Sequence, residues 1–457
     1  MKHPGTEVTQ AVKAKHIPSR PLVQGSPAPI HLRWGGSDLT DGAGLTLLRA
    51  LWDRLNLTRW IESRTLHVPG LYRPSLMVEL WVALLFYGGG WIEDLGWMER
   101  RNVRRLFGWA AVPNPTTFGR WLRRSGSAMT EVLSELCWHL VQVRWAWTRV
   151  PKRATLLVDS TVSIRYGQVQ AGAEKGHNPK KPGRPSHHPV VAFLMETGDL
   201  VGLKWRPGSA NTAAGTEEWI TELVERLRAA GVEEITVRLD KGFFSKSLAG
   251  RLDRLGVTFL LKVPNHRWLA DHRGPWRLNG RAEGAFSEAR QALSATGELW
   301  GFRLLGLEGR RPLQERGDTL GLDTYEVIAT AHILTNINGI HPLTAWRTYN
   351  AGAVVEQRIE ELQQLAVGQT AIDDRDGNRL LWALGGLAYQ LLHVLRTTAL
   401  GRSWKATQPK SLRNHLFRMA GRFTRHGRQL WLEMGDPLAD VLGRIQRLRD
   451  PPGMQAA

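Results

Sequence analysis

The chain has 457 residues, with 61 Lys+Arg against 42 Asp+Glu, a formal net charge of +19 and a pI near 10.6. A hydrophobic fraction of 42% suits a folded protein of two to four structural units, and a charge excess of this size calls for a polyanionic partner. No stretch approaches the ~18–20 uninterrupted apolar residues of a membrane span, the N-terminus carries no apolar signal segment, and the single cysteine, Cys137, excludes intramolecular disulfides and cysteine-based zinc sites. Nucleic acid is the expected partner, and a reducing, cytoplasmic, nucleoid-associated setting the expected location.

Residues 1–35 hold Pro18, Pro21, Pro27 and Pro29 without periodicity and read as a flexible basic tail. From 36 to 150 the pattern is helical. Leu45, Leu48, Leu51 and Leu55 recur at helical spacing, and a second run covers Leu76 to Phe86. Asn114-Pro115 reads as a helix start, with Phe118, Trp121 and Leu122 on one face and Arg120, Arg123 and Arg124 between them. This region is expected to bind DNA or to dimerise. The twenty Trp residues, among them Trp52, Trp81 and Trp382, sit mostly on apolar helix faces and are expected in cores rather than on bases.

The texture changes near Thr155. Thr155–Val158 reads as a buried strand ended by Asp159; Pro189–Met195 and Leu200–Trp205 read as a hairpin around Thr197-Gly198-Asp199. An amphipathic helix, Thr216–Ala229, leads to an alternating strand, Ile235–Leu239, ended by Asp240. Ser245 caps a further predicted helix, and Val257–Val263 is another strand. Residues 264–321 are polar and Gly- and Arg-rich, and read as a β-rich insertion. Tyr325–Leu334 resumes as a strand, Val354–Ala366 as a helix, and Leu380–Leu395 as a buried helix. The predicted architecture is α/β with a mixed sheet: a core at 151–263 and 322–400 interrupted by the insertion, an all-helical region before it, and a basic C-terminal region at 401–457.

Two acids close apolar strands, Asp159 and Asp240, placing both at the rim of a sheet. A third must come from the last helix. Val355, Ile359, Leu362 and Ala366 define its buried stripe, which puts Glu356 about 90° from the stripe centre and Glu360 and Glu361 about 130° away on either side. Glu356 is the acid best able to face the strand ends, with Glu360 in reserve and Glu361 pointing away. Three such carboxylates form a hard-oxygen site suited to Mg²⁺ or Mn²⁺, with two ions able to activate the attacking oxygen and stabilise the leaving one. His187 and His188, followed by Pro189, read as structural rather than as ligands.

Four blocks carry a resemblance: Leu-Leu-Val-Asp159-Ser-Thr; Asn178-Pro-Lys-Lys-Pro-Gly-Arg184-Pro-Ser-His-His188-Pro; Val-Arg-Leu-Asp240-Lys-Gly-Phe-Phe-Ser245; and Tyr349-Asn350 followed by Glu356-Gln-Arg358-Ile-Glu-Glu-Leu362. In this order the chain resembles insertion-sequence DDE transposases, in the branch numbered thirteen-eighty, from about Gly44 to Leu395. The resemblance implies a ribonuclease-H-like catalytic core, catalytic and metal-binding roles for Asp159, Asp240 and Glu356, and cut-and-paste transposition of DNA by a homodimer or larger assembly on the element ends and the target. The spacings, 240 − 159 = 81 and 356 − 240 = 116 residues, leave room in the second interval for the β-rich insertion.

One motif departs. Related families carry Tyr, two residues, Arg, three residues, Glu, six residues, Lys on the last helix; here Gly352 stands at the Arg position and Gln363 at the Lys position. Restoring Arg and Lys there is expected to tighten DNA binding. Candidate DNA contacts are Lys175, Lys180, Lys181 and Arg184 in a flexible loop, Lys241, Tyr349 and Arg358 near the acids, and Arg418, Arg422 and Arg425 in the C-terminal basic segment. The alternatives are a simple metal-dependent nuclease with the same site, or a DNA-binding descendant of a transposase impaired at Gly352 and Gln363.

Overall fold

The computed structural model describes residues 36–66, 68, 70–167, 169–176, 178, 181–210, 215–269, 277–278, 291–312, 314–315, 318–319, 325–435 and 437–451. The tail expected at 1–35 lies outside these residues, as does much of the segment between 270 and 324. Residues 38–457 cluster as one unit.

The local signals place the main elements. Helix α1 spans Pro74–Tyr87 and α2 spans Pro115–Trp147. The Asn114 side chain accepts from the Thr117 amide at 2.8 Å, and Pro115 stands at the first helical position, where its missing N–H costs nothing. Strand β1 follows at Arg153–Ser160, then the hairpin strands β2 at Val190–Leu194 and β3 at Leu200–Lys204. Helix α3 covers Glu217–Ala229 and β4 covers Glu234–Leu239. Helix α4, Lys246–Arg254, is capped by the Ser245 hydroxyl, and β5 is Thr258–Val263.

The β-rich segment does not stand apart. Its strands β6, Gln291–Leu299, and β7, Phe302–Pro312, pair with each other, and β7 pairs with β8, Tyr325–Thr335, which runs antiparallel to β5. One nine-stranded sheet results, in the order β3-β2-β1-β4-β5-β8-β7-β6 with the short strand Arg277–Leu278 at its edge. Strands β1, β4 and β5 are parallel, while β2 and β3 are antiparallel additions beside β1. This mixed five-strand core, with helices on both faces, is the ribonuclease-H-like arrangement.

After β8 come α5 at Pro342–Ala351, α6 at Val354–Gln364 and α7 at Arg375–Thr398. Periodicity gives no sign of helix α5, and the motif spacing predicts Tyr349 and Glu356 on one helix. The chain instead breaks between them at Gly352, where short-range turn bonds (Ala353 N–H to the Asn350 carbonyl, Glu356 N–H to the Ala353 carbonyl) replace the α-helical ladder. Tyr349 belongs to a small core with Leu260, Leu305 and Ile333 on β5, β7 and β8, whereas Val355 and Ile359 of α6 join a larger core with Leu157 and Val191 on β1 and β2. Helices α3 and α4 bury the opposite face, against Leu156, Val158, Val237 and Leu239.

Helix α7 is buried from Leu380 to Arg396, because it lies between the sheet and the N-terminal helices. It packs tightly on α2: a Cβ at Gly126 would lie 2.4 Å from the Asp376 backbone, so only glycine permits that approach. The C-terminal region folds back as well. Leu412, Phe417, Leu438 and Ile445 enter the same core as Leu48 and Trp52, and strand β9, Gly421–His426, pairs with both Leu39–Thr40 and β10, Gln429–Met434. The separations expected near 150 and 400 are therefore not breaks in packing; one apolar core crosses both. Trp52, Trp81 and Trp382 are all buried in it. Among the described residues, no helix is long and apolar enough to cross a membrane.

Candidate active site

Parallel pairing brings the two aspartates level. The register runs Leu157 opposite Arg238 and Val158 opposite Leu239, so Asp159 and Asp240 follow at the same height at the carboxyl ends of adjacent strands. Two-residue alternation sets both on the face covered by α5 and α6. Asp159 is half-buried, and its Oδ1 accepts from the Ser160 amide at 2.7 Å. Asp240 precedes the single turn Lys241–Phe243 in extended conformation, yet its carboxylate makes no capping hydrogen bond to that turn. It accepts instead from the Tyr349 hydroxyl at 3.3 Å. An aspartate at a strand end is ordinarily a cap; this one is not used as such.

Glu356 stands exposed in the first turn of α6. Its charge reaches Asp159. Burial, followed by the carboxylates of Glu356 and Asp240, pushes the Asp159 carboxyl up from 3.8 to about 7, against the Ser160 amide and the Arg238 guanidinium. The structure thus brings the three sequence-predicted acids into one electrostatic site. Among the described residues, none of the three forms an ion pair, and no three His, Cys, Asp or Glu side chains are gathered tightly enough to hold a metal ion as they stand. Tyr349 is buried, and burial together with Asp240 raises its phenol well above the usual range, so it acts as a donor to that carboxylate.

The other acids of α6 behave differently. Glu360 is exposed and accepts from Gln364 at 3.4 Å. Glu361, expected to point away from the strand ends, is 4% exposed and paired with Arg396 at 2.9 Å and Arg358 at 3.0 Å. The reason is α7, which covers α6 on a second side that a helical-wheel argument based on one stripe does not include. Arg358, a candidate DNA contact, is held in this pairing beneath the hairpin turn at Gly198.

The remaining candidates divide between loop and surface. Lys175, Lys181 and Arg184 are exposed, and the last two lie 5.2 and 5.7 Å from the Tyr166 ring. Lys180 lies outside the described residues. Lys241 is exposed directly beside Asp240. Arg418 stacks at 5.0 Å on Tyr87, Arg422 pairs with Asp38 at 2.5 Å, and Arg425 is exposed on β9. His187 and His188 are buried; His187 contacts the Ala171 carbonyl at 3.0 Å and packs on Trp205, as a structural histidine does. Two charged residues escaped the sequence reading. Arg238 projects beside the aspartates, a position its two-residue spacing from Asp240 could have signalled. Asp199, read as a turn residue, is fully buried and binds Arg144, Trp145 and Thr197.

Among known proteins, no curated sequence matches the chain. The cryo-EM structure of a piggyBac transposase synaptic complex with hairpin DNA is similar at 13% sequence identity, covering 81% of this chain and 79% of that one with a TM-score of 0.45. The family described as transposase DDE domain group 1 matches residues 23–291 and 322–450. That match spans well over half of the chain, includes Asp159, Asp240 and Glu356, and skips only a stretch within the β-rich segment, so the chain belongs to the transposase DDE domain group 1 family.

Proposed function

We propose that the protein cuts DNA strands at the ends of a mobile element and joins them to target DNA, with Asp159, Asp240 and Glu356 as the acids that act on the phosphodiester through Mg²⁺ or Mn²⁺. The observation that carries this reading is the pair of aspartates, level on adjacent parallel strands and, among the described residues, neither ion-paired nor used as a helix cap, with Glu356 near enough to raise Asp159. The donor set fits divalent cations. All three donors are carboxylates, the hard oxygens that Mg²⁺ and Mn²⁺ prefer, and crowding like charges together is costly unless positive charge joins them. Two bound ions would activate the attacking oxygen and stabilise the leaving one.

The chain's own groups have separate tasks. The Ser160 amide orients Asp159, and the Tyr349 hydroxyl orients Asp240. Lys241, exposed beside Asp240, and the loop bearing Lys175, Lys181 and Arg184 offer charge to the DNA backbone, where contacts position a duplex without reading its sequence. The test is incubation of the full chain with Mg²⁺ and a DNA carrying the native element ends beside a target plasmid. Excised ends and joined products are expected. Cleavage without joining would reduce the protein to a nuclease, and no cleavage with either Mg²⁺ or Mn²⁺ would overturn the reading.

A further inference from the structure

Gly352 is a notch filled by another residue's side chain. A Cβ built at this position would lie 1.8 Å from Arg238 Nη1, 2.6 Å from its Cζ and 2.7 Å from its Cδ. Backbone conformation does not demand the glycine, since its φ is −78°. The demand comes from Arg238, which rises from β4 through the gap where α5 ends and α6 has not begun. Any side chain at 352 would require the Arg238 guanidinium to shift.

The path delivers the charge to the site. Arg238 shares a face with Asp240, two residues on, and with Leu157 and Asp159 across the parallel pairing. Its guanidinium carbon is 4.4 Å from the centroid of the Tyr349 ring, whose hydroxyl binds Asp240. Lys262 of β5 brings its ammonium to 5.7 Å from the same ring. Arg238 is half-buried, its Nε is buried without a hydrogen-bond partner, and it forms no ion pair among the described residues. Among the described residues it meets only the Tyr349 phenol and the field of Asp159, so hydrogen-bonding capacity remains for an anion at the site. Other buried arginines are completed from within the chain: Arg144 and Arg396 by carboxylates, and Arg165 by the Gln369 and Gly368 carbonyls.

We propose that Arg238 binds a DNA phosphate at this active site, entering through the Gly352 notch, with Tyr349 as the platform that aims it and Lys262 as a second charge beside it. The inference rests on the DNA-cleaving reading above and deepens it. Gly352 is then no loss of a cation from the helix; the cation comes from the strand beneath. On this proposal Gly352→Arg would not tighten DNA binding, contrary to the expectation from the motif, because the new side chain would occupy the space Arg238 fills.

The test measures binding of full-length protein to a duplex bearing the element end, without divalent cation, over a series of salt concentrations. Arg238→Gln keeps the stem and removes the charge. It should flatten the dependence of log affinity on log salt by about 0.9, the loss of one phosphate contact, and should slow Mg²⁺-dependent cleavage by on the order of 10²-fold. Gly352→Arg alone should also lose cleavage, and the double variant Arg238→Ala with Gly352→Arg should recover part of both the salt slope and the rate. Melting curves identify any variant that fails to fold, in which case Arg238→Lys, which keeps charge but not the planar fork, replaces it and should retain the slope while slowing cleavage. A wild-type protein that binds and cuts, beside a folded Arg238→Gln protein with unchanged slope and rate, would overturn the inference and leave the transposase reading standing. A wild-type protein that neither binds nor cuts would overturn that reading itself.

Discussion

Helix α6 carries two acids five residues apart, Glu356 and Glu361, and they belong to opposite kinds of site. Glu361 enters a buried polar network with Arg358 and Arg396, near the hairpin turn where Asp199 is held by Arg144 at 2.7 Å, Trp145 at 2.8 Å and Thr197 at 2.7 Å. Glu356 instead joins Asp159 and Asp240 at the other end of β1, where acids meet acids. In the first region every carboxylate has a cation from within the chain. In the second, the Ser160 amide and the Arg238 guanidinium lower Asp159, and together they do not offset burial and two like charges. Acids neutralised internally hold a fold together; acids left facing one another are placed for a cation that arrives with function.

The largest expected effect lies in the paired region. Asp199→Ala would leave Arg144 buried and uncompensated and should cost about 3–5 kcal/mol, because removing one partner of a buried pair strands the other. Urea or thermal unfolding checks it. A loss within the experimental scatter would show that the network does not hold the hairpin to α2 and α7.

A smaller effect separates the two regions by pH. Burial with its two acidic neighbours raises Asp159 to about 7, so between its unfolded value of 3.8 and 7 the metal-free native state keeps a proton the unfolded chain has released. This carboxyl's contribution therefore makes stability fall as pH rises through that window. The groups facing it are Glu356 from α6, Asp240 and Arg238 from β4, and the Ser160 amide. Asp199 has the opposite sense: burial alone would raise it, but Arg144 and the Thr197 hydroxyl help to hold it lowered, so its stabilisation is present above 3.8 and lost as pH falls through its native value. Burial holds neighbouring His393 down to about 3 from 6.5, which adds to instability on the acid side as the unfolded chain takes up that proton. Melting temperatures of metal-free wild type and Asp159→Asn, taken from about pH 5 to pH 8, should diverge toward alkaline pH, with the variant the more stable there. Parallel curves would contradict the placement of Asp159.

What was legible in the sequence was local. The Asn114 and Ser245 caps, the alternation before Asp240 and the apolar run before Asp159 each depend on neighbours within a few residues, and each element appears where expected. What was not legible depends on distance. Asp199 looks like a turn residue because its partner Arg144 is 55 residues away. The helical wheel turns Glu361 away from the strand ends, and only the approach of α7 shows it buried and paired. Helix α5 has few apolar positions (Ala345, Trp346 and Tyr349 are its buried ones) and starts at His341, whose ring nitrogen accepts from Leu343, rather than at a Ser, Thr or Asp. Gly352 reads as a defect in one helix, and only the tertiary approach of Arg238 shows it to be a gap between two.

The most direct measurement compares Glu356→Gln with Glu361→Gln in the same two assays, cleavage of element-end DNA with Mg²⁺ and thermal unfolding. Glu356→Gln should lose cleavage by on the order of 10³-fold or more, with unfolding unchanged or slightly later, since a repelling charge is gone. Glu361→Gln should lose ~1.5–3 kcal/mol of stability by weakening charged hydrogen bonds, yet cut DNA at temperatures where it remains folded. A Glu356→Gln protein that cuts like wild type, or a Glu361→Gln protein that is fully stable but inactive, would contradict the division of this helix between catalysis and fold.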